Sequence, residues 1–244
     1  MNVIIQAELE KYMLDAANLL RGRMDAGDFK GYVFPLLFLK RISDVWDEEN
    51  EIAKATLPDE KDFSNFPEFH IFSLPAESHW QNLIITNKDV GASIQSAMRG
   101  IESANPDKLS GIFGDVQWTN KDRLPDDLLR DLISHFSSKT LDNGNAPFDL
   151  LGNAYEYMIR QFADDGGHTA AEFYTHRTVV KLMTAITKPS HGDSIYDPTC
   201  GSGGMLLNSI KHVKEKNEDY RTVSLFGQEM NIITSSIARM NMLL

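Results

Sequence analysis

The chain has 244 residues, 42% of them hydrophobic and 24% charged, which is ordinary globular composition and enough for one large domain or two small ones. Extensive disorder is excluded, and a single cysteine, Cys200, excludes both an internal disulfide and a cysteine-based zinc site. No stretch approaches the roughly 18 unbroken apolar residues of a membrane span, and charge enters too early for a signal peptide, so a cytoplasmic protein without a membrane partner is expected. The seven histidines show no metal-ligand spacing, and no metal site is expected. The net charge of −11 is uneven: residues 1–150 hold 15 basic against 25 acidic side chains, and the remainder 9 against 10. An acidic front half argues against a free-standing DNA-binding module, because phosphate contacts need a basic face.

Leu9, Met13, Ala16, Ala17 and Leu20 recur at helical spacing and predict a first helix that stops near the polar Arg21–Asp28 segment. A second is predicted from Phe29 to Glu51, with Pro35 tolerable only in its first turns and the acidic run Asp47-Glu48-Glu49 as a solvated surface. Residues 57–88 mix prolines with Phe63, Phe66, Phe69, Phe72 and Trp80 ahead of Leu83-Ile84-Ile85, which reads as irregular structure with a short strand pair. Helices follow near 89–104 and 126–138, and Asn105-Pro106-Asp107 reads as a turn before Leu109. The turn formers of Thr140–Pro147 mark a linker, giving domains 1–145 and 146–244. Beyond it come helices at about Phe148–Phe162 and Arg177–Ile186, a strand at 194–197, a glycine loop, a helix from Gly204, a strand at 222–226 and a last helix from Ile232. Strand, helix, strand, helix predicts the beginning of a parallel, doubly wound sheet.

The strongest chemical signal is Asp197-Pro198-Thr199-Cys200-Gly201-Ser202-Gly203-Gly204, between a strand and a helix. Glycines there let the backbone approach a small ligand, and the helix start offers amide donors. A Walker phosphate loop would require a lysine directly after its glycines, and none follows them until Lys211; a dinucleotide fingerprint would want glycine where Leu206 stands. Glu229 follows the second strand, 32 residues after Asp197, where a carboxylate can accept both hydroxyls of a ribose. Taken alone, Glu229 also reads as a surface acid capping the last helix. Upstream, Ala171–Arg177 contains Thr175, well placed as an N-cap, and an aromatic pair that alone reads as buried packing.

Together these segments resemble the modification subunits of type I restriction-modification systems, which methylate adenine N6 with S-adenosylmethionine. The resemblance covers nearly the whole chain. Ala16–Gly22 and Leu37–Asp44 are similar to the family's N-terminal helical domain, and Asp149–Tyr157 to the helix before its catalytic domain. Glu172–Thr175, Asp197–Gly204 and Gly227-Gln228-Glu229 are similar to its three cofactor motifs, in the family's order.

The resemblance implies an α-helical N-terminal domain followed by the first part of an α/β Rossmann-like methyltransferase domain. It implies S-adenosylmethionine as cofactor, with Asp197, Pro198, Gly201, Ser202 and Gly203 around its methionine part, Phe173, Tyr174 and Thr175 closing over that end, and Glu229 on the ribose. It also implies as partners a specificity subunit, a restriction subunit, a second modification subunit and double-stranded DNA reached through that complex. Two departures matter. The family usually has proline where this chain has His176, which could loosen the loop by up to about 1 kcal/mol. The Asn-Pro-Pro-Phe/Tyr motif that holds the target adenine is absent, so no catalytic residue is expected in this chain, which reads as an N-terminal part or truncated form. An inert module docking on a specificity subunit and a dinucleotide-dependent enzyme stay open as alternatives.

Overall fold

The computed structural model describes residues 4–57, 69–146, 175–243 and, between the last two, positions 150, 151, 153, 154, 157, 158 and 161. Phe63, Phe66, Phe173 and Tyr174 lie outside the described residues. The chain divides into two compact units, Met1–Met158 and Ile159–Leu244. No helix among the described residues is long and apolar enough to cross a membrane.

The first unit is helical. Helix α1 (Gln6–Leu20) buries Leu9, Met13, Ala16, Ala17 and Leu20, the row its periodicity marks, together with Tyr12. Helix α2 (Lys30–Thr56) is its axis, with every residue from Gly31 to Val45 buried. A helix apolar on one side only would leave solvent there; one surrounded by its neighbours must find partners for every polar group it carries. It does so through the family-like segment Leu37–Asp44. Lys40 pairs with Asp44, whose carboxylate also accepts the Leu141 N–H at 2.7 Å. Arg41 donates to the Leu141 carbonyl and to Asn143 Oδ1, and Ser43 Oγ accepts the Trp80 N–H at 3.0 Å.

Three expectations change here. Helix α2 runs past Glu51, and its acidic run is not merely solvated. Glu48 accepts the N–H groups of Asn143 and Gly144 at 2.9 and 3.1 Å, Glu49 lies against Ile71 N–H, and Asp47 pairs with His79. Secondly, the described part of the turn cluster, Thr140–Ala146, is tied to α2 through Leu141, Asn143 and Gly144 by these same bonds. Thirdly, Leu83-Ile84-Ile85 lies in helix α3 (Trp80–Ile85), not in a strand. Only Trp80 and Leu83, one helical turn apart, are buried, while Ile84 and Ile85 face solvent, so the apolar run conceals a period of three.

Helix α4 (Val90–Ala104) has no cap of its own; Asp126 accepts the N–H groups of Asp89 and Val90 at 3.1 and 2.9 Å. Helix α5 (Pro106–Leu109) is one turn with proline at its start, preceded by Asn105, whose side chain holds both the N–H and the carbonyl of Ser73. Helix α6 (Asp126–Ser137) packs Leu129, Leu132, Ile133 and Phe136 inward, and Tyr12 of α1 donates to the Phe136 carbonyl at 2.7 Å. The described positions between 150 and 161 are helical, and Leu151, Ala154 and Met158 are fully buried.

The second unit contains α7 (Arg177–Thr187), β1 (Ser194–Asp197), α8 (Gly204–Glu215), β2 (Ser224–Gly227) and α9 (Ile232–Leu243). The strands pair in parallel with Ser194 beside Ser224 and Asp197 beside Gly227, the direction the alternation predicts. A single 3-10 turn at Tyr220–Thr222 delays the second strand by two residues from its expected start.

Candidate functional site

Because β1 and β2 are parallel and in register, the segments that follow them emerge at the same end of the pair. Past the strands the ladder continues: Gln228 N–H donates to the Asp197 carbonyl and Cys200 N–H to the Gln228 carbonyl, each at 2.9 Å. The Glu229 carboxylate closes the ring, its Oε2 accepting the Gly201 N–H at 3.1 Å and its Oε1 the Asn231 N–H at 2.8 Å. Each oxygen keeps further acceptor capacity. Asp197 Oδ1 accepts the Thr199 N–H at 3.0 Å, shaping the turn out of β1, and the Tyr196 hydroxyl donates to Gln228 Oε1 at 2.8 Å.

Two glycines set the loop's path. Gly201 and Gly203 have φ of +56° and +83°, the left-handed region that side chains disfavour. A Cβ on Gly203 would stand 2.5 Å from Met242 Cε of α9, whereas one on Gly201 would meet nothing within 4 Å. The loop is therefore pressed against α9 at one glycine and open at the other. No side chain caps α8, which starts directly after Gly203.

The electrostatics are negative. Burial, then the carboxylates of Asp197 and Glu229, push the Cys200 thiol above the ordinary range. The two carboxylates make a nearby positive charge favourable. Asp197, Pro198, Gly201, Ser202, Gly203 and Glu229 thus belong to one ring of backbone and carboxylate around the strand ends. Thr175 is described and half-buried, and among the described residues it makes no hydrogen bond to this ring.

The N-cap expected of Thr175 is taken by His176, whose Nδ1 accepts the Thr178 N–H at 3.3 Å. His176 has φ of −56°, a value proline also adopts, so the imidazole supplies a side-chain cap at a position compatible with the family's usual residue. Sequence reading missed Asn241, which reaches the loop from 39 residues away and donates to the Ser202 carbonyl at 3.1 Å. No local pattern could mark it, since its partner is a backbone atom of a distant segment.

Comparison with known proteins finds two matching family models. The family model described as HsdM N-terminal domain matches residues 9–136, and that described as N-6 DNA Methylase matches residues 146–244. The type I restriction enzyme MjaIX methylase subunit of Methanocaldococcus jannaschii is 25% identical over 97% of this chain and 45% of that protein. The MpnII methylase subunit of Mycoplasma pneumoniae is 28% identical over 97% of this chain and 50% of its own length. The crystal structure of the type I restriction-modification system methyltransferase subunit from Streptococcus thermophilus superposes with a TM-score of 0.79 at 27% identity, covering 98% of this chain and 56% of that one. The chain spans about half the length of the curated relatives it matches. With one family model covering more than half of its residues and a second covering the site, the chain belongs to the family of type I restriction-modification methylase subunits.

Proposed function

We propose that the chain carries the cofactor-binding part of an adenine-N6 DNA methyltransferase, the modification subunit of a type I system, with residues 1–145 as its helical domain and 146–244 as the first part of a Rossmann-like domain. The observation that carries this reading is the ring joining Gly201 to Glu229 at the ends of two parallel strands. S-adenosylmethionine, when bound, supplies a methyl group made electrophilic by its sulfonium charge.

The residues fit that group. Asp197, Pro198, Gly201, Ser202 and Gly203 hold the methionine end, where Gly201 leaves the backbone approachable. Asp197 and Glu229 give the loop the potential a sulfonium requires, and the remaining acceptor capacity of Glu229 takes ribose hydroxyls. The family resemblance assigns closure over the methionine end to Phe173, Tyr174 and Thr175. Sequence recognition falls to a specificity subunit, in a complex with a restriction subunit and a second modification subunit that grips double-stranded DNA. The acidity of residues 1–150 supports that division of labour.

Calorimetric titration with S-adenosylhomocysteine tests the site. A hydrogen bond to a charged group contributes roughly 1.5 to 3 kcal/mol, so Glu229→Ala weakens binding by about one to two powers of ten. Unchanged affinity in a folded variant removes Glu229 from the site. The adenine-holding Asn-Pro-Pro-Phe/Tyr motif does not occur in these 244 residues, and the purified chain alone is expected to transfer no radiolabelled methyl group to DNA. Incorporation of label in the absence of any other subunit would overturn that expectation.

A further inference from the structure

We propose that Asn241 is a positioning residue for the glycine loop, holding it from α9 in the shape that receives the methionine end of the ligand; this rests on the cofactor reading above. Helix α9 starts shortly beyond Glu229, and its final turn returns to the loop. There Asn241, only 2% exposed, donates its side-chain amide to the Ser202 carbonyl at 3.1 Å. One residue further, Met242 fills the space a side chain at Gly203 would need, and Ala238, one turn back, lines the same contact. The loop is thus held at Ser202 by a hydrogen bond and at Gly203 by steric contact, both from one helix.

The other end of the same carboxamide makes the case specific. Asn241 Oδ1 is buried and has no hydrogen-bond partner among the described residues. An unsatisfied buried acceptor lowers stability, so an apolar residue of similar volume would suit the interior better than asparagine does. What asparagine adds at this position is the single donor to Ser202. Glu229 fixes the Gly201 side of the loop from the segment just before the same helix. The two residues therefore have separate roles, with Glu229 holding Gly201 and facing the ribose while Asn241 holds Ser202 and sets the methionine side.

The test compares wild type with Asn241→Leu, which keeps volume and removes the donor, and Asn241→Asp, which keeps shape and polarity but offers only oxygens to the Ser202 carbonyl. Affinities for S-adenosylhomocysteine and for adenosine are measured on each, with amide hydrogen exchange of Gly201, Ser202 and Gly203 in the absence of ligand. Both variants are expected to bind S-adenosylhomocysteine roughly five- to tenfold more weakly, the worth of one hydrogen bond. Adenosine affinity stays within about twofold, because its contacts run through Glu229. A general loss of stability would weaken both ligands alike, and that parallel loss overturns the positioning role. Wild-type affinity for S-adenosylhomocysteine with unaltered loop exchange in either variant also overturns it. If wild type binds neither ligand, the cofactor reading fails while the exchange data still decide the role of Asn241: faster exchange at Ser202 and Gly203 in the variants supports it, and unprotected Gly203 in wild type defeats it.

Discussion

The two units of this chain solve the problem of order in opposite ways. In the first, residues 31–45 of α2 are buried on all sides, and Lys40, Arg41, Ser43 and Asp44 each find a partner there, so stability comes from burial with the polar groups of that segment answered. In the second, two four-residue strands leave Tyr196 and Phe226 59% and 55% exposed, and α7 shows Val179, Leu182, Met183 and Ile186 to solvent. The ring around Cys200 is nonetheless closed, by backbone amides, two left-handed glycines and a carboxylate. A ligand loop can therefore be specified by hydrogen bonding and sterics even where the surrounding apolar surface is open. Its shape does not wait on a deep core.

The contrast can be broken at three places. The largest effect belongs to the first unit: Asp44→Ala leaves the Lys40 ammonium buried without its partner and the Leu141 N–H without an acceptor, at a cost of about 3 to 5 kcal/mol in urea denaturation. A loss below about 1 kcal/mol would show that water answers these groups and that α2 is not the closed axis described. The middle effect reads the ring directly. Burial and the two carboxylates raise the Cys200 pKa, so at mildly alkaline pH less of it is thiolate and iodoacetamide alkylates it more slowly than a free cysteine. Glu229→Gln removes one negative neighbour, lowers the thiol pKa and should accelerate alkylation severalfold, with the rate profile moving to lower pH; an unmoved profile would separate Glu229 from the loop. The smallest is Leu182→Ser on the open face of α7, 59% exposed, which should change stability in thermal melting by no more than about 0.5 kcal/mol. A core-sized loss there would mean that this face is covered in solution.

Much of this is readable from the residues because it is local. The spacing in α1 predicts its buried row, the Asp197–Gly204 glycines predict a strand-to-helix loop, and the alternation after residue 190 predicts parallel pairing. What is not readable depends on partners far along the chain. Asp47, Glu48 and Glu49 look like surface because nothing nearby in sequence needs them; the groups they serve lie between 21 and 96 residues away. Ile84 and Ile85 look like strand because β-branched residues favour it, yet Trp80 and Leu83 against the first unit's core decide for helix. Thr175 is a better N-cap than His176 by preference alone, but the helix begins at Arg177, and only the residue immediately before it can serve. In the site, Gly201 and Glu229 are each legible, whereas the bond between them and the Asn241 anchor are tertiary facts.

One small feature of the first unit bears on how the protein ages. Asn143-Gly144 is a dipeptide whose free chain readily cyclises to a succinimide, when the glycine nitrogen attacks the asparagine carboxamide. Here the Gly144 N–H is engaged by Glu48 Oε1 at 3.1 Å and the Asn143 Oδ1 by Arg41 at 2.6 Å, so nucleophile and electrophile are held by different side chains of α2. Deamidation at Asn143 then records the time the segment has spent released from that helix, and a mass increment at this one residue becomes a chemical clock for opening of the N-terminal fold.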